Sequence, residues 1–244
     1  MAFALVFSAL ATQWGLAAPA PAAVDTSRYK KAGPYTVGYD IYFAGNTWSV
    51  QMYNEFKSAV ARHPDLVKDV IYTESENNIS KQIANLEDLI TRRVDVIICT
   101  PVNPAAVVPV LEKAYQRGIP VVLLAATANT DKYTCLVTVD DRDFGEAGAK
   151  WLVEKLGGKG QIIALNGIPG ISVSEDRWLG AKSVFDKYPG MKVIANVSAD
   201  WDYAKAKLAV GNLLAAHPQI DGVWSQGGEM TLGAMEAFQA AGRK

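Results

Sequence analysis

The chain has 244 residues, half of which are hydrophobic, and its formal net charge at pH 7 is −1. This apolar content is enough for one sizeable core or for two smaller α/β lobes. A net charge near zero provides no long-range field for a polyanion, which argues against a protein that binds nucleic acid or anionic lipid. Two cysteines and two histidines make a structural zinc site a poor explanation, so no metal and no cofactor are expected.

The N-terminal segment carries no charge over residues 2–18 and continues into a proline- and alanine-rich stretch that ends at Ala23. The run is short for a membrane span, so it predicts a signal peptide over residues 1–23, followed by a linker over residues 24–33. The basic start of a typical leader is missing, because the first basic residue is Arg28. An upstream start or an atypical leader would explain this, and a membrane anchor or buried helix is the alternative.

Short β-rich runs alternate with amphipathic helices after Pro34. The runs are β-branched and bounded by turn residues, as in a parallel sheet buried on both faces. Helical stripes such as Met52, Phe56 and Val60 predict surfaces that face a core. The first lobe is expected to cover residues 34–139, with strands at 35–42, 67–73, 94–99, 119–125 and 133–139.

The second lobe is expected to cover residues 140–244. A predicted helix at 142–156 precedes three predicted strands. The alternation of strands and helices throughout the chain indicates an α/β fold with right-handed crossovers. Three strands would leave an apolar sheet edge uncovered, so this lobe is expected to be incomplete. The three strands are at 160–166, 191–197 and 221–225.

The histidines and cysteines favour structural roles. His63 and His217 each precede a proline, where a helix ends and a cationic side chain suits its C-terminus. Cys99 and Cys135 fall at a strand end and a strand start. An oxidising compartment would permit a disulfide between them, but we expect two separate, buried thiols. The distance between the two residues in the fold determines whether a disulfide can form.

The motifs of common α/β enzymes are missing. The turn at 43–48 has one glycine where a dinucleotide site needs G-x-G-x-x-G, and residues 157–160 lack the Ser or Thr that follows a P-loop lysine. No G-x-S-x-G occurs. Asp200 and Asp202 suggest a glycosidase pair, but Asp202 is better placed to cap a helix that starts at Tyr203.

Two tryptophans follow strands at the edge where open α/β sheets bind ligands. Trp48 follows the first strand of lobe one, and Trp201 follows the second strand of lobe two. A sugar has apolar C–H faces and needs hydrogen bonds at its rim, so an aromatic on each side of a cleft suits it. Simple packing in a core is the alternative for each ring.

A series of short motifs occurs in one order and spacing between residues 35 and 244. Together they resemble the ribose-type branch of the bacterial periplasmic solute-binding proteins, which share their fold with the ligand-binding core of LacI-type repressors. The motifs are Asn46-Thr47-Trp48, Asn77-Asn78-x-x-Lys81-Gln82, Thr100-Pro101, Ile119-Pro120-Val121, Asp140-Asp141, Gly167-Ile168-Pro169-Gly170 with Arg177, Asp200-Trp201-Asp202, Asn212-Leu213-Leu214-x-Ala216-His217-Pro218 and Gln226-x-x-Glu229-Met230-x-Leu232-Gly233-Ala234.

The resemblance implies a type I periplasmic-binding-protein fold, in which two Rossmann-like lobes with parallel sheets are joined by a hinge. A ligand would be clamped between the lobes, and nothing would be catalysed. One of the hinge crossovers is expected near Val139 to Arg142. The ligand contacts that the resemblance implies are Asn46, Trp48, Thr100, Ala125, Glu175, Trp201, Gln226 and Gly227.

Four of these positions depart from the family pattern. The family often has asparagine at Thr100, an Asp-Arg pair at Ala125-Ala126, arginine at Glu175, and asparagine or aspartate at Gly227. A site built to pair hydroxyls rejects mismatched ligands by on the order of 10⁴-fold. The departures therefore argue against ribose, glucose and galactose, and they leave open a less polar polyol, a deoxy sugar or a non-sugar metabolite. Glu175 has a second interpretation, as the partner of Ser172 in a capping box.

The sequence thus predicts the substrate-binding component of an ABC-type importer. It would be a periplasmic monomer, not an enzyme, that captures a small neutral sugar or polyol and delivers it to a membrane permease. Three rivals remain at this point. A LacI-type regulator core would need a helix-turn-helix where this chain has an apolar leader. A periplasmic sensor partner and an α/β enzyme are the others.

Overall fold

A computed structural model describes residues 26–29 and 31–243 of the chain. The predicted signal peptide lies outside the described residues, as do positions 24, 25 and 30 of the predicted linker. Within the described part, Ser27–Tyr29 forms one turn of 3-10 helix. No helix of this part is long and apolar enough to cross a membrane.

The first half of the chain forms a five-stranded, wholly parallel sheet with three helices. The strands are β1 (Tyr35–Ile41), β2 (Val67–Glu74), β3 (Val96–Cys99), β4 (Val121–Leu124) and β5 (Cys135–Val137), and the helices are α1 (Thr47–Arg62), α2 (Ile79–Thr91) and α3 (Val108–Gln116). The sheet order is β2-β1-β3-β4-β5. The carboxyl ends of β1, β3, β4 and β5 therefore follow one another along one edge.

The second half forms a three-stranded parallel sheet with four helices. Its elements are α4 (Asp141–Lys155), β6 (Lys159–Asn166), α5 (Ser172–Phe185), β7 (Gly190–Ser198), α6 (Tyr203–Ala216), β8 (Gly222–Ser225) and α7 (Gly228–Ala240). The order is β7-β6-β8. The predicted α/β alternation is confirmed. The largest difference is β5, predicted over 133–139, because only Cys135 to Val137 pair before the chain crosses to the second sheet.

Short polar side chains start most of the helices by accepting a backbone N–H bond, which satisfies a group the helix itself leaves unpaired. Asp202 accepts from the Lys205 N–H at 2.8 Å, so the predicted cap of α6 is confirmed. His63 and His217 lie at the ends of α1 and α6, as predicted. The other polar caps are Asn46 of α1, Asn78 of α2 and Asp140 of α4.

Helix α5 begins differently, and the predicted capping box of Ser172 and Glu175 is wrong. The residue before its first turn is Ile171, which has no side-chain cap. Ser172 is already helical, and its Oγ accepts from the Thr127 N–H at 2.9 Å. The Glu175 carboxylate instead accepts from the Gly170 N–H at 3.1 Å, two residues before the helix start.

Both cysteines are free thiols. Cys99 is buried, whereas Cys135 is exposed, so the expectation of two buried thiols is wrong for Cys135. The reason is that β5 forms the edge of its sheet, with a partner strand on one side only.

The hydrophobic core consists of three clusters, and one of them joins the two lobes. Separate clusters cover one face of each sheet, around Leu123 in the first and Trp224 in the second. The third cluster combines residues of both lobes, among them Ile41 and Leu165. One contact between the lobes in this cluster is the edge-to-face pair of Tyr42 and Trp201, whose ring centroids are 6.3 Å apart.

Candidate functional site

A cavity of about 540 Å³ lies between the two lobes. Its walls are the carboxyl ends of strands of both sheets and the helix starts that follow them, which is where open α/β sheets bind ligands. The volume falls within the roughly 300–1,000 Å³ that is typical of small-molecule sites.

Most of the predicted contacts lie on this cavity. Asn46, Trp48, Thr100, Ala125, Trp201, Gln226 and Gly227 line it. Glu175 does not, because its carboxylate is turned to the Gly170 N–H. We therefore leave Glu175 out of the proposed contacts. The wall also includes residues for which the sequence predicted no contact: Tyr42, Met52, Leu124, Val137, Val139, Asp141, Phe144, Val173, Arg177 and Glu229.

Trp201 is held by the backbone around it and is only 9% exposed. Asp200 and Trp201 both have positive φ, 56° and 54°, in the turn after β7. The indole packs on Gly167 so closely that a Cβ there would lie 2.1 Å from its Cε2 atom. Its Nε1 is buried and has no hydrogen-bond partner among the described residues. Trp201 thus belongs to the core and borders the cavity as well.

Trp48 lies opposite, in the first turn of α1, and is 50% exposed. The side-chain oxygen of Asn46 accepts from the Ser49 N–H at 2.8 Å and fixes the start of this helix. One indole from each lobe therefore borders the same cavity.

Gln226 lines the cavity, but its side-chain amide forms hydrogen bonds within the protein. Nε2 donates to Asn166 Oδ1 at 2.8 Å and to the Ser174 carbonyl at 2.9 Å, and Oε1 accepts from the Gly167 N–H at 3.1 Å. These bonds tie together the ends of β6 and β8 and the start of α5. The role we assign to Gln226 is to position the loops rather than to contact a ligand.

Two of the three charged side chains that line the cavity form an ion pair with each other. Arg177 Nε donates to Asp141 Oδ1 at 2.8 Å, with both side chains mostly buried. Arg177 also donates through Nη1 to the Gln226 carbonyl at 3.0 Å, and its guanidinium lies 4.2 Å from the Phe144 ring centroid. Burial raises the pKa of Asp141 although the Arg177 guanidinium lowers it. This pair is close to neutral, and the third charged side chain on the wall, Glu229, accepts from the Thr47 N–H.

Two hydrogen bonds connect the lobes beside the cavity. Glu229, at the start of α7, accepts from the Thr47 N–H at 2.9 Å, across 182 positions of sequence. The second is the bond from Thr127 N–H to Ser172 Oγ. The structure therefore has its two lobes in contact around the cavity.

Among the described residues, no three His, Cys, Asp or Glu side chains are grouped closely enough to hold a metal ion. Both histidines lie at helix ends and are not part of the cavity wall.

Residues 37–244 match the family described as periplasmic binding protein domain. The chain belongs to this family. It is 31% identical to the ribose import binding protein of Bacillus subtilis (strain 168), over 96% of this chain and 74% of that protein. It is 34% identical to the xylitol-binding protein of Mycolicibacterium smegmatis (strain ATCC 700084 / mc(2)155), over 72% of this chain and half of that protein.

Solved structures agree with this assignment. An ABC transporter solute binding protein from Bacillus halodurans C-125, with bound myo-inositol, has a TM-score of 0.81 and 26% identity, over 87% of this chain and 74% of that one. The fold class and the family predicted from sequence are confirmed. Family membership also supports a binding protein rather than an enzyme.

Proposed function

We propose that this protein is the substrate-binding component of an ABC-type importer, which captures a small neutral sugar or polyol between its lobes and delivers it to a membrane permease. The observation that carries the proposal is the interlobe cavity, bordered by one tryptophan from each lobe. Relatives named for ribose import and xylitol binding support the ligand class, and so does a structural neighbour with bound myo-inositol. The relative named for ribose import also favours a role in transport over a role in sensing.

Lobe closure is the proposed mechanism. A ligand shifts the equilibrium between open and closed forms only if it binds the closed form better. Ligand contacts from Trp48 on one side and Trp201 on the other would provide that difference, while the two interlobe hydrogen bonds would stabilise the closed form itself. The crossover between β5 and α4 is the proposed hinge segment. A permease would then recognise the closed form.

The proposed location is the periplasm, with export directed by a signal peptide over residues 1–23. Membership of a periplasmic binding protein family supports the compartment. N-terminal sequencing of the exported protein tests the leader, because cleavage near Ala22 or Ala23 would place the new terminus there.

Titration calorimetry with xylitol, D-ribose and myo-inositol tests the binding function. We expect at least one of them to bind near micromolar, about −8 kcal/mol. Trp48→Ala should weaken that binding by about tenfold or more, because the exposed indole covers the ligand. Trp151→Ala is the matched control, since Trp151 is 60% exposed and lies away from the cavity. The absence of heat with every compound, or an equal loss in both variants, would contradict the proposal.

A further inference from the structure

The strand ends of the first sheet contribute different groups to the cavity. The ends of β1 and β3, which are neighbours, contribute Asn46 and Thr100. The ends of β4 and β5 come next along the same edge and contribute only small or branched hydrocarbon side chains and one threonine. These are Leu124, Ala125, Ala126, Val137, Thr138 and Val139.

The second lobe continues the apolar end. The hydrogen bond from Thr127 N–H to Ser172 Oγ brings the start of α5 next to the end of β4. The residues on either side of Ser172 are Ile171 and Val173, and both line the cavity. Hydrocarbon therefore faces this end of the cavity from both lobes.

The polar groups closest to the β4 and β5 ends bond within the protein. The Ala125 N–H donates to the Val137 carbonyl at 2.8 Å, and the Thr138 hydroxyl donates to the Ala125 carbonyl at 2.8 Å. Arg177 and Asp141 are paired with each other. A ligand hydroxyl buried against the side chains of Ala125, Val137 and Val139 would lose water without gaining a comparable bond, which is unfavourable.

The opposite end has groups that require partners. Thr100 Oγ1 and Trp201 Nε1 are buried and have no hydrogen-bond partner among the described residues. Thr100 follows β3, and the Trp201 ring contacts Tyr42, which follows β1, so both residues border the β1–β3 end. Ligand hydroxyls placed there would satisfy them.

We infer that the ligand is a neutral sugar or polyol with one hydroxyl-poor end, such as a deoxy carbon or a methyl group, and that this end lies against β4 and β5. The inference rests on the proposed function and narrows its ligand class. It makes Ala125, whose side chain is a single methyl group, the position that decides between hydroxylated and deoxygenated ligands.

Calorimetry with matched pairs that differ by one hydroxyl tests the inference. Suitable pairs are D-galactose with 6-deoxy-D-galactose and D-ribose with 5-deoxy-D-ribose. In the pair that binds most tightly, we expect the deoxy member to bind about 10- to 100-fold more tightly, the range in which an apolar pocket discriminates against an added hydroxyl. Equal or tighter binding of the hydroxylated member overturns the inference and leaves the proposed function intact. No binding by any pair, nor by xylitol and myo-inositol, overturns both.

Ala125→Asn provides an independent test. Ala125 has φ of 63°, a conformation that asparagine adopts more readily than alanine, so the backbone is not disturbed. The new amide would pair with a ligand hydroxyl, and the preference should shift about tenfold towards the hydroxylated member. Ala105→Asn, in an exposed loop of the same lobe, should leave the preference unchanged. An unchanged preference in Ala125→Asn would show that the hydroxyl-poor end does not lie at β4.

Discussion

Asp40 is a fully buried carboxylate at the end of β1, and the described structure pairs it with hydrogen-bond donors rather than with a cation. One of its donors, Gln82 Nε2, also donates to the Thr100 carbonyl at 3.0 Å, and Gln82 Oε1 accepts from the Val102 N–H. The network therefore holds the cavity residue Thr100 in place. The four donors are Thr73 Oγ1 at 2.7 Å, Ser75 Oγ at 2.8 Å, Gln82 Nε2 at 2.7 Å and Asn85 Nδ2 at 2.9 Å.

Burial raises the pKa of Asp40 above 3.8, and this exceeds the lowering by its donors. In the folded protein the Asp40 carboxyl group therefore stays protonated at pH values where it is ionised in the unfolded chain. The contribution of Asp40 to stability falls as the pH rises through this range. Asparagine does not titrate. The free energy of unfolding of the wild type minus that of Asp40→Asn, measured by urea unfolding, should decrease as the pH rises from about 4, the ordinary pKa of an aspartate. Asp65→Asn, at an exposed position, is the control, and a difference that increases with pH would contradict the argument.

Gly167 is the surface on which the Trp201 indole rests. Gly167→Ala places a methyl group 2.1 Å from the indole Cε2, so the ring must move. We expect ligand affinity to fall about tenfold or more, since misplacing a cavity wall costs both packing and hydrogen bonds. Gly211→Ala is the control, because its new methyl meets nothing within 4 Å, and it should leave affinity unchanged. Unchanged affinity in both variants would show that the position of Trp201 does not matter for binding.

At the scale of elements, α4 and α5 approach each other through glycines. A Cβ at Gly145 would lie 1.9 Å from the Arg177 carbonyl oxygen, and one at Gly180 would lie 2.1 Å from that of Arg142. These two residues let the helices touch along their backbones. The close approach also brings Arg177 of α5 to Asp141 of α4, so it shapes the cavity wall.

Gly145→Ala should therefore destabilise the protein. In an exposed helix the change would stabilise by about 1 kcal/mol, but here the added methyl must force α4 and α5 apart, which typically costs about 1–3 kcal/mol. Thermal unfolding followed by circular dichroism should give a lower midpoint, and calorimetry should show weaker ligand binding as Arg177 moves. Gly211→Ala, in α6 with open space around it, should raise the midpoint or leave it unchanged. A higher midpoint for Gly145→Ala would contradict the packing argument.

At the scale of the molecule, Glu229 links the two lobes at the start of two helices. Its carboxylate accepts from the Thr47 N–H, at the N-terminus of α1, and belongs to the first turn of α7. Helix N-termini carry partial positive charge, which strengthens a bond to a carboxylate. This bond exists only while the lobes are in contact.

Glu229→Gln keeps the shape of the side chain and removes its charge. We expect a smaller closed fraction without ligand, measured by small-angle X-ray scattering as a larger radius of gyration, and about fivefold weaker ligand binding. Glu236→Gln on the same helix is the control, because Glu236 pairs with Lys207 at the surface of its own lobe. If both variants scatter like the wild type, Glu229 does not contribute to closure.

The sequence by itself determined the elements and the family. Strands buried on both faces require runs of β-branched residues, and helices require polar caps and one apolar stripe. These requirements concern neighbouring residues, so they can be recognised in the sequence. The prediction made β5 too long, because the end of this strand is set by the crossover of the chain to the other lobe. Asp202 was predicted correctly because a cap and its N–H are three residues apart.

Only the tertiary structure decided what each cavity residue does. The sequence predicted the same role for Gln226 and Glu175, but the folded chain uses the Gln226 amide between three loops and turns Glu175 away from the cavity. It also brings Glu229 to Thr47 and places Ala125, Val137 and Val173 on the wall of one cavity. These relations join residues far apart in the chain, and no local pattern encodes a distance of that kind. The distribution of polar and apolar groups around the ligand therefore depends on how the two sheets and their loops pack together.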